Sequence, residues 1–527
     1  MLEICEVDAL PEVEPMPEPK SYAKRLVTGS AIVLMAFMAS ELVGLFLRMF
    51  LARSLTVVEY SLFYAVFTLI SFFGLFRELG LGSALVKYIP EFVVRKQFAK
   101  IKSSIVSALF AQAAFGFIVS AALFVLSDYI ALAMFRTLDA SLPLKILSVW
   151  FFVAIFYPLA ESTFNGFQNM PAYASINFFN PLSVLLLAVL FVGFFGLGTM
   201  GVALAYLIAA AVIGLSSLTF IIRRYPHVFR EKASVTKPLL KKLFVFALPI
   251  LVASIGGLII SYTDTIMITI LRPLREVGFY QAAQPTARIL WYFPIALTVV
   301  LFPIISELWA RGERKLLGEA LHFLTKFSFI LIVPAAFIFI AFPEIVINLL
   351  YGPGYLAGAT ALQILSAVAI VYTPFVILAQ VMRGMGRPVV LLKIVALMAC
   401  FNIVGNLALI PPYGIEGAAV ATFVTHLLGL ALLFYYARKF VRFTMPSSSL
   451  LKTAIGGVLT LLLIFGLKSI LVLPPWPEAF VVMILGLLFY GAWILATKAI
   501  TKDDLRLIAR IVPMPGWLVR AARRVIG

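Results

Sequence analysis

Seven charged residues inside otherwise apolar segments are candidates for chemistry: Glu41, Arg48, Arg77, Glu78, Glu161, Asp264 and Arg288. A charge at the middle of a bilayer costs about 2.5–3.5 kcal/mol on insertion scales, so such a side chain faces a cavity or a partner. The two signs suit different chemistry. A guanidinium presents a fork of donors that matches phosphate oxygens and stays charged when partly desolvated. A carboxylate suits a cation or a relayed proton, and Asp264 shares a polar helix face with Ser261 and Thr265. Each charge also has a structural reading. Glu78 is a ready partner for Arg48 or for a neighbouring span. Arg77 lies about 25 Å along a helix from Tyr60, deep enough to snorkel to the inner interface. Arg48 and Arg53, near the end of their span, suit interface anchoring as well as function.

The elements that hold these charges follow from composition. The 527 residues are 63% hydrophobic and 13% charged, with a mean hydropathy of +1.06. A soluble domain of this length needs far more polar surface. Apolar runs long enough to cross a hydrocarbon core recur along the chain, and the alternating pattern of a membrane barrel is absent. We read an all-α polytopic membrane protein with about 14 transmembrane helices, the first at 26–50, the second at 58–86 and the last at 478–498. The net charge of +18 follows topology. Basic residues gather in alternate connections: five in Lys87 to Lys102, seven in Arg223 to Lys242, four in Arg311 to Lys326, and seven from Lys498 onward. That asymmetry predicts both termini cytoplasmic, in a multi-pass protein of the plasma membrane. It implies contact with anionic lipid rather than with nucleic acid.

The chain repeats itself. Slid by about 216 residues, Tyr88 to Lys96 falls on Ile304 to Gly312, and Gly198 to Tyr206 falls on Gly414 to Thr422. Glu91 then matches Glu307, Arg95 matches Arg311, and Gly201 matches Gly417. Two copies of an even-numbered six-helix unit enter and leave on one side, so a pseudo-two-fold axis along the membrane normal should relate them. The expected organisation is a disordered acidic cytoplasmic tail at 1–25, a first lobe at 26–225, a cytoplasmic linker at 226–240 and a second lobe at 241–440. Two extra helices at 441–500 and an amphipathic basic tail at 501–527 complete it. Parallel repeats of this kind place substrate between the halves and rock them for alternating access.

The stretches Ala52 to Leu69, Leu79 to Tyr88 and Asp264 to Ala283 resemble helix signatures of polysaccharide exporters. Those belong to the multidrug/oligosaccharidyl-lipid/polysaccharide flippase superfamily, and the resemblance covers residues 26–440. Ala287 to Glu307 is also similar to the eighth helix of lipid II flippases, a branch with fourteen spans and a cavity arginine at the position of Arg288. The resemblance implies a lipid-linked sugar crossing through a cleft while its lipid tail stays in the bilayer. It also implies that spans one, two, seven and eight face that cleft. On this basis Arg288 and Arg77 lead as contacts to a substrate phosphate, followed by Arg48 and Glu78. Asp264, Glu41 and Glu161 are candidates for coupling to a Na⁺ or H⁺ gradient.

Other chemistry finds no support in the sequence. No Walker-type loop occurs, and His227, His322 and His426 have no metal-ligand spacing. Cys5 and Cys400 fall in the tail and in a span, so no disulfide is expected. The first 25 residues lack the layout of a signal peptide. Asp503 and Asp504 read as acids at a helix start rather than as a metal pair. No catalytic residue, metal or cofactor is expected, and short outer connections argue against a membrane glycosyltransferase or polymerase. The leading expectation is a flippase for a polyisoprenyl-phosphate-linked oligosaccharide, alongside glycosyltransferases or a polymerase of the same pathway. The alternative is a cation-coupled drug or metabolite antiporter of the same superfamily, whose cleft should be dominated by acids.

Overall fold

The computed structural model describes residues 19–440, 446–470 and 474–500. The expected basic tail at 501–527 and residues 1–18 lie outside the described residues. Among the described residues every regular element is helical, and fourteen helices can be traced as crossings. They are α1 Pro19–Ser54, an interrupted α2 of Val57–Phe72, Gly74–Glu78 and Leu81–Val94, and α3 Phe98–Val125. Next come α4 Leu138–Gly166, α5 Met170–Phe194 and α6 Gly198–Arg224. The second series is α7 Lys237–Leu271, α8 Leu274–Ala310, α9 Arg314–Ala341 and α10 Pro353–Gly384. A single long run, Pro388–Phe440, is parted by the non-helical backbone of Gly414 into α11 (388–413) and α12 (415–440). Finally α13 spans Ser447–Ile470 and α14 Pro475–Ala496.

Two expectations need correction. Residues 19–25, read as tail, form the first turns of α1, because Tyr22, Ala23 and Leu26 continue a helix-compatible run without a break. The second crossing is not one helix. The cap at Phe73 and the left-handed Leu79 (φ 51°) and Gly80 (φ 68°) divide it into three segments. Glycine is required at position 80 for two reasons. Its φ is one that side chains resist, and a Cβ there would lie 2.5 Å from the carbonyl oxygen of Ala247 on α7.

The repeat is written into the backbone of the turns. Left-handed residues recur in matching loops as Lys96 with Gly312, Arg136 with Gly352, Gln168 with Gly386 and Gly198 with Gly414. The distal turn between α1 and α2, where α1 ends at Ser54, corresponds to the turn after α7, which ends at Leu271. In the first copy Thr56 and Glu59 form a capping box that satisfies the first amides of α2. The second copy has Pro273 at that place and an Arg272–Glu276 ion pair at 2.9 Å.

Two of the contacts between the halves bracket the site. At the distal end, α2 lies against α8 so closely that a Cβ on Gly278 would fall 2.2 Å from the Ser61 hydroxyl. Around this contact Tyr60, Tyr64, Tyr280, Tyr351 and Tyr355 make a buried aromatic plug, with Tyr60 and Tyr355 rings 5.2 Å apart. Aromatic groups dominate burial here because each removes a large apolar face from its surroundings. At the opposite, basic end, the start of α7 packs on the last segment of α2. There Lys242 reaches Glu91 at 3.5 Å and covers the Tyr88 ring at 4.2 Å.

Candidate functional site

Between the two contacts lies a cavity of about 260 Å³, lined from both halves. Helix α1 contributes Ser40, Glu41 and Arg48, α2 contributes Tyr64, α5 contributes Asn180 and Pro181, α6 contributes Tyr206, and α8 contributes Tyr292. Arg48 is the basic residue of this wall. Its guanidinium lies 4.4 Å over the Tyr64 ring, and its Nη1 donates to Gln281 Oε1 at 3.3 Å. Among the described residues no carboxylate comes within 4.0 Å of it. Stacking on an aromatic face and one neutral acceptor hold the fork in place without neutralising it, so charge and spare donors stay available to an anion. About two turns along α1, Glu41 accepts a hydrogen bond from the Tyr292 hydroxyl of α8. The Phe37 ring stands edge-on to Tyr292 at 5.7 Å. This contact ties the halves on the basic side of the cavity.

Asp264 stands apart from the cavity lining. It is fully buried between α7, α8, α11 and α12, and accepts three hydrogen bonds: from Tyr280 at 2.6 Å, Asn406 at 2.7 Å and Thr422 at 2.7 Å. Asn406 also donates to Asn402 at 3.2 Å. The Oδ1 of Asn406 and the Nδ2 of Asn402 are buried without a hydrogen-bond partner. Leaving such groups unpaired costs about 1–3 kcal/mol each, so the cluster has hydrogen-bonding capacity beyond what packing uses. Asn402, Asn406 and Thr422 were missed by the sequence reading. A signal existed: two amides one helical turn apart in the apolar run "CFNIVGNLAL" share one helix face.

The remaining candidates fall elsewhere. Arg288 borders a separate chamber of about 30 Å³ inside the second half, with Ser261, Gln284, Trp291, Thr422 and His426. Its Nη2 donates to the Ser261 carbonyl at 3.3 Å, while its Nε has no partner. Arg77 is 7% exposed, set against the Trp150 and Phe151 rings at 5.8 and 5.5 Å, and lies 3.9 Å from Glu78. Glu161 on α4 acts electrostatically on the same pair. Arg77, Glu78 and Glu161 thus form a cluster of the first half, and none of them lines the central cavity. The structure brings Glu41 and Arg48 together there and keeps Arg77, Arg288 and Asp264 out. Hydropathy gives the depth of a charge but not the side of the helix it occupies, and these placements are differences of side.

Comparison with known proteins matches residues 26–309 to the family described as "Polysaccharide biosynthesis protein", and residues 288–491 to "Lipid II flippase MurJ". A membrane protein of Methanocaldococcus jannaschii, MJ1068, is 28% identical over 463 residues, covering 86% of this chain and 91% of its own length. The probable low-salt glycan biosynthesis flippase Agl15 of Haloferax volcanii is 24% identical over 284 residues, 53% of this chain and 60% of that protein. Among solved structures, the inward closed conformation of the lipid II flippase MurJ superposes with a TM-score of 0.71 at 15% identity, covering 88% of this chain and 98% of that one. An inward-facing multidrug resistance MATE transporter gives 0.63 at 14% identity, covering 79% and 97%. At these identities the structural likeness concerns the fold alone.

Proposed function

The chain belongs to the polysaccharide biosynthesis protein family, and from that premise we propose that this membrane transporter flips a polyisoprenyl-phosphate-linked oligosaccharide by alternating access. The observation that carries the reading is Arg48, an unneutralised guanidinium in a cavity walled by both halves. A phosphate cannot enter hydrocarbon without a partner, and Arg48 offers charge-assisted hydrogen bonds at the level where it must cross. Ser40, Asn180, Tyr206 and Tyr292 supply hydroxyl and amide groups suited to a sugar. The prenyl tail would remain in lipid. The membrane is taken to be the plasma membrane, with both termini cytoplasmic, as the basic loops imply.

The Asp264 cluster is the coupling element in this reading. A carboxylate, two amides and two hydroxyls offer the hard oxygen ligands that suit Na⁺, and Asn406 Oδ1, which makes no hydrogen bond of its own, offers one more such oxygen. The same cluster is what favours a cation-coupled antiporter as the second reading. Headgroup translocation in proteoliposomes separates the two. A flippase moves a fluorescent polyprenyl-diphosphate disaccharide to the far leaflet, and Arg48→Ala slows it at least tenfold. Efflux of a cationic dye driven by Na⁺ or H⁺, with no lipid translocation, would replace the flippase by the antiporter.

A further inference from the structure

Gln281 bonds both the cavity arginine and Thr265, the residue that follows Asp264. It sits on α8 and is 5% exposed. Its Oε1 accepts from Arg48 of α1 at 3.3 Å, and its Nε2 donates to Thr265 of α7 at 3.0 Å and to Thr68 of α2 at 3.4 Å. The orientation of the amide is fixed by chemistry. Arginine can only donate, so the oxygen must face Arg48, and the NH₂ must then face the threonines. Thr265 follows Asp264 in sequence on α7, and its hydroxyl accepts from Gln281, so the two are adjacent on one helix.

The position also has a structural meaning. In the register of the distal turns, where Ser54 matches Leu271, Arg48 matches Thr265 and Tyr64 matches Gln281. The pair Arg48–Tyr64 of the first half therefore has the pair Thr265–Gln281 as its counterpart, and the Arg48–Gln281 bond joins the two across the interface. Two of the three partners of Gln281 belong to the first half and one to the second. Parting the halves at the distal end would break the Arg48 and Thr68 bonds together.

Building on the flippase reading, we propose that Gln281 is a positioning residue that links cation occupancy at Asp264 to the phosphate affinity of Arg48. With α7 drawn in at Asp264, Thr265 and Thr68 hold the amide, the amide holds one edge of the guanidinium, and the other edge faces the cavity. With α7 relaxed, the amide turns, Arg48 loses its fixed edge, and its spare donors are no longer aimed.

The test measures binding of a fluorescent polyprenyl phosphate to the full chain in nanodiscs, with Na⁺ or with N-methylglucamine in its place. Wild type is expected to bind at least fivefold tighter in Na⁺. Gln281→Ala should bind equally in both, within twofold, and Thr68→Val should reduce the linkage partially. Gln281→Glu, which keeps size and pairs with Arg48, should weaken binding in both media and guards against a folding defect in the alanine variant. Persistence of the fivefold linkage in Gln281→Ala, or absence of linkage in the wild type, overturns the proposal. Failure of the underlying reading looks different: Arg48→Ala then binds the polyprenyl phosphate as well as the wild type does.

Discussion

The two halves place opposite chemistry on one scaffold. In the first, Arg48 faces a cavity shared by both halves, is packed on Tyr64, and among the described residues has no carboxylate within 4.0 Å, although Glu41 lines the same cavity. In the second, the matching stretch of α7 carries Asp264 and Thr265, and the charge is sealed under three hydrogen bonds with no opening to that cavity. Duplication supplied two equivalent helix pairs. The difference between them, in the proposed reading, is a division of labour: one half offers a cavity-facing cation to an anionic cargo, and the other a buried anion to a small cation. The proposed link between them is Gln281, which bonds Arg48 and the Thr265 that follows Asp264.

The largest expected effect comes from exchanging the sealed anion. Asp264→Asn leaves three donors facing a group with one acceptor oxygen, and we expect a stability loss of about 1–3 kcal/mol together with loss of Na⁺ dependence in the translocation assay. Thermal unfolding and Na⁺ titration check the two parts. Retained Na⁺ dependence would remove the second half's role. Next is Gly278→Ala, whose Cβ would fall 2.2 Å from the Ser61 hydroxyl and 3.3 Å from the Val57 carbonyl. It should hold the distal ends apart. Gly354 and Val57 stand close enough, at 3.1 Å from a built Cβ to Cγ2, for a Val57→Cys/Gly354→Cys pair to report closure, and crosslinking should slow several-fold when Gly278→Ala is added. Unchanged crosslinking would show that the glycine contact does not govern closure.

Smaller effects sharpen the contrast. Arg77→Ala should lower the unfolding temperature by a few degrees through lost packing on Trp150 and Phe151, while polyprenyl phosphate affinity stays within threefold. A loss of affinity as large as that of Arg48→Ala would return Arg77 to the cavity. The smallest effect is at the distal corner of the first half. There Asp128 accepts from Ser141 and from Lys145, the latter at 3.0 Å, and these bonds hold its carboxyl below the usual carboxylate range. A lowered pKa means a contribution that is present above the usual carboxylate range and lost as pH falls through the lowered value. Asp128 is exposed, so Asp128→Asn should shift the unfolding temperature by about a degree or less at neutral pH. The difference from wild type should vanish in acid.

Much of the scaffold was legible before any coordinates. Apolar length marks crossings because hydrocarbon thickness demands it, and the recurrence of Glu91–Arg95 as Glu307–Arg311 exposed the repeat. Both pairs close as i, i+4 ion pairs at 3.3 and 2.5 Å. The break in α2 came from the structure, where the close approach of Ala247 explains the glycine at position 80. The site was less legible. Arg77 and Arg288 lie on the crossings expected to face the cleft, yet their side chains turn into their own halves, because the direction of a side chain depends on neighbours that hydropathy does not specify. Asn402, Asn406 and Thr422 went unread because a charge stands out in an apolar run and an amide does not. Asp264 could be named from sequence, but what surrounds it could not.

The most direct measurement is the affinity of a polyprenyl phosphate in nanodiscs for wild type, Arg48→Ala, Arg77→Ala and Arg288→Ala compared side by side. Arg48→Ala should weaken binding at least tenfold, in line with the about 1.5–3 kcal/mol of a hydrogen bond to a charged group, while the other two stay within threefold. Tenfold weakening in Arg77→Ala or Arg288→Ala, with Arg48→Ala unchanged, would contradict the assignment of the open cation to the first half.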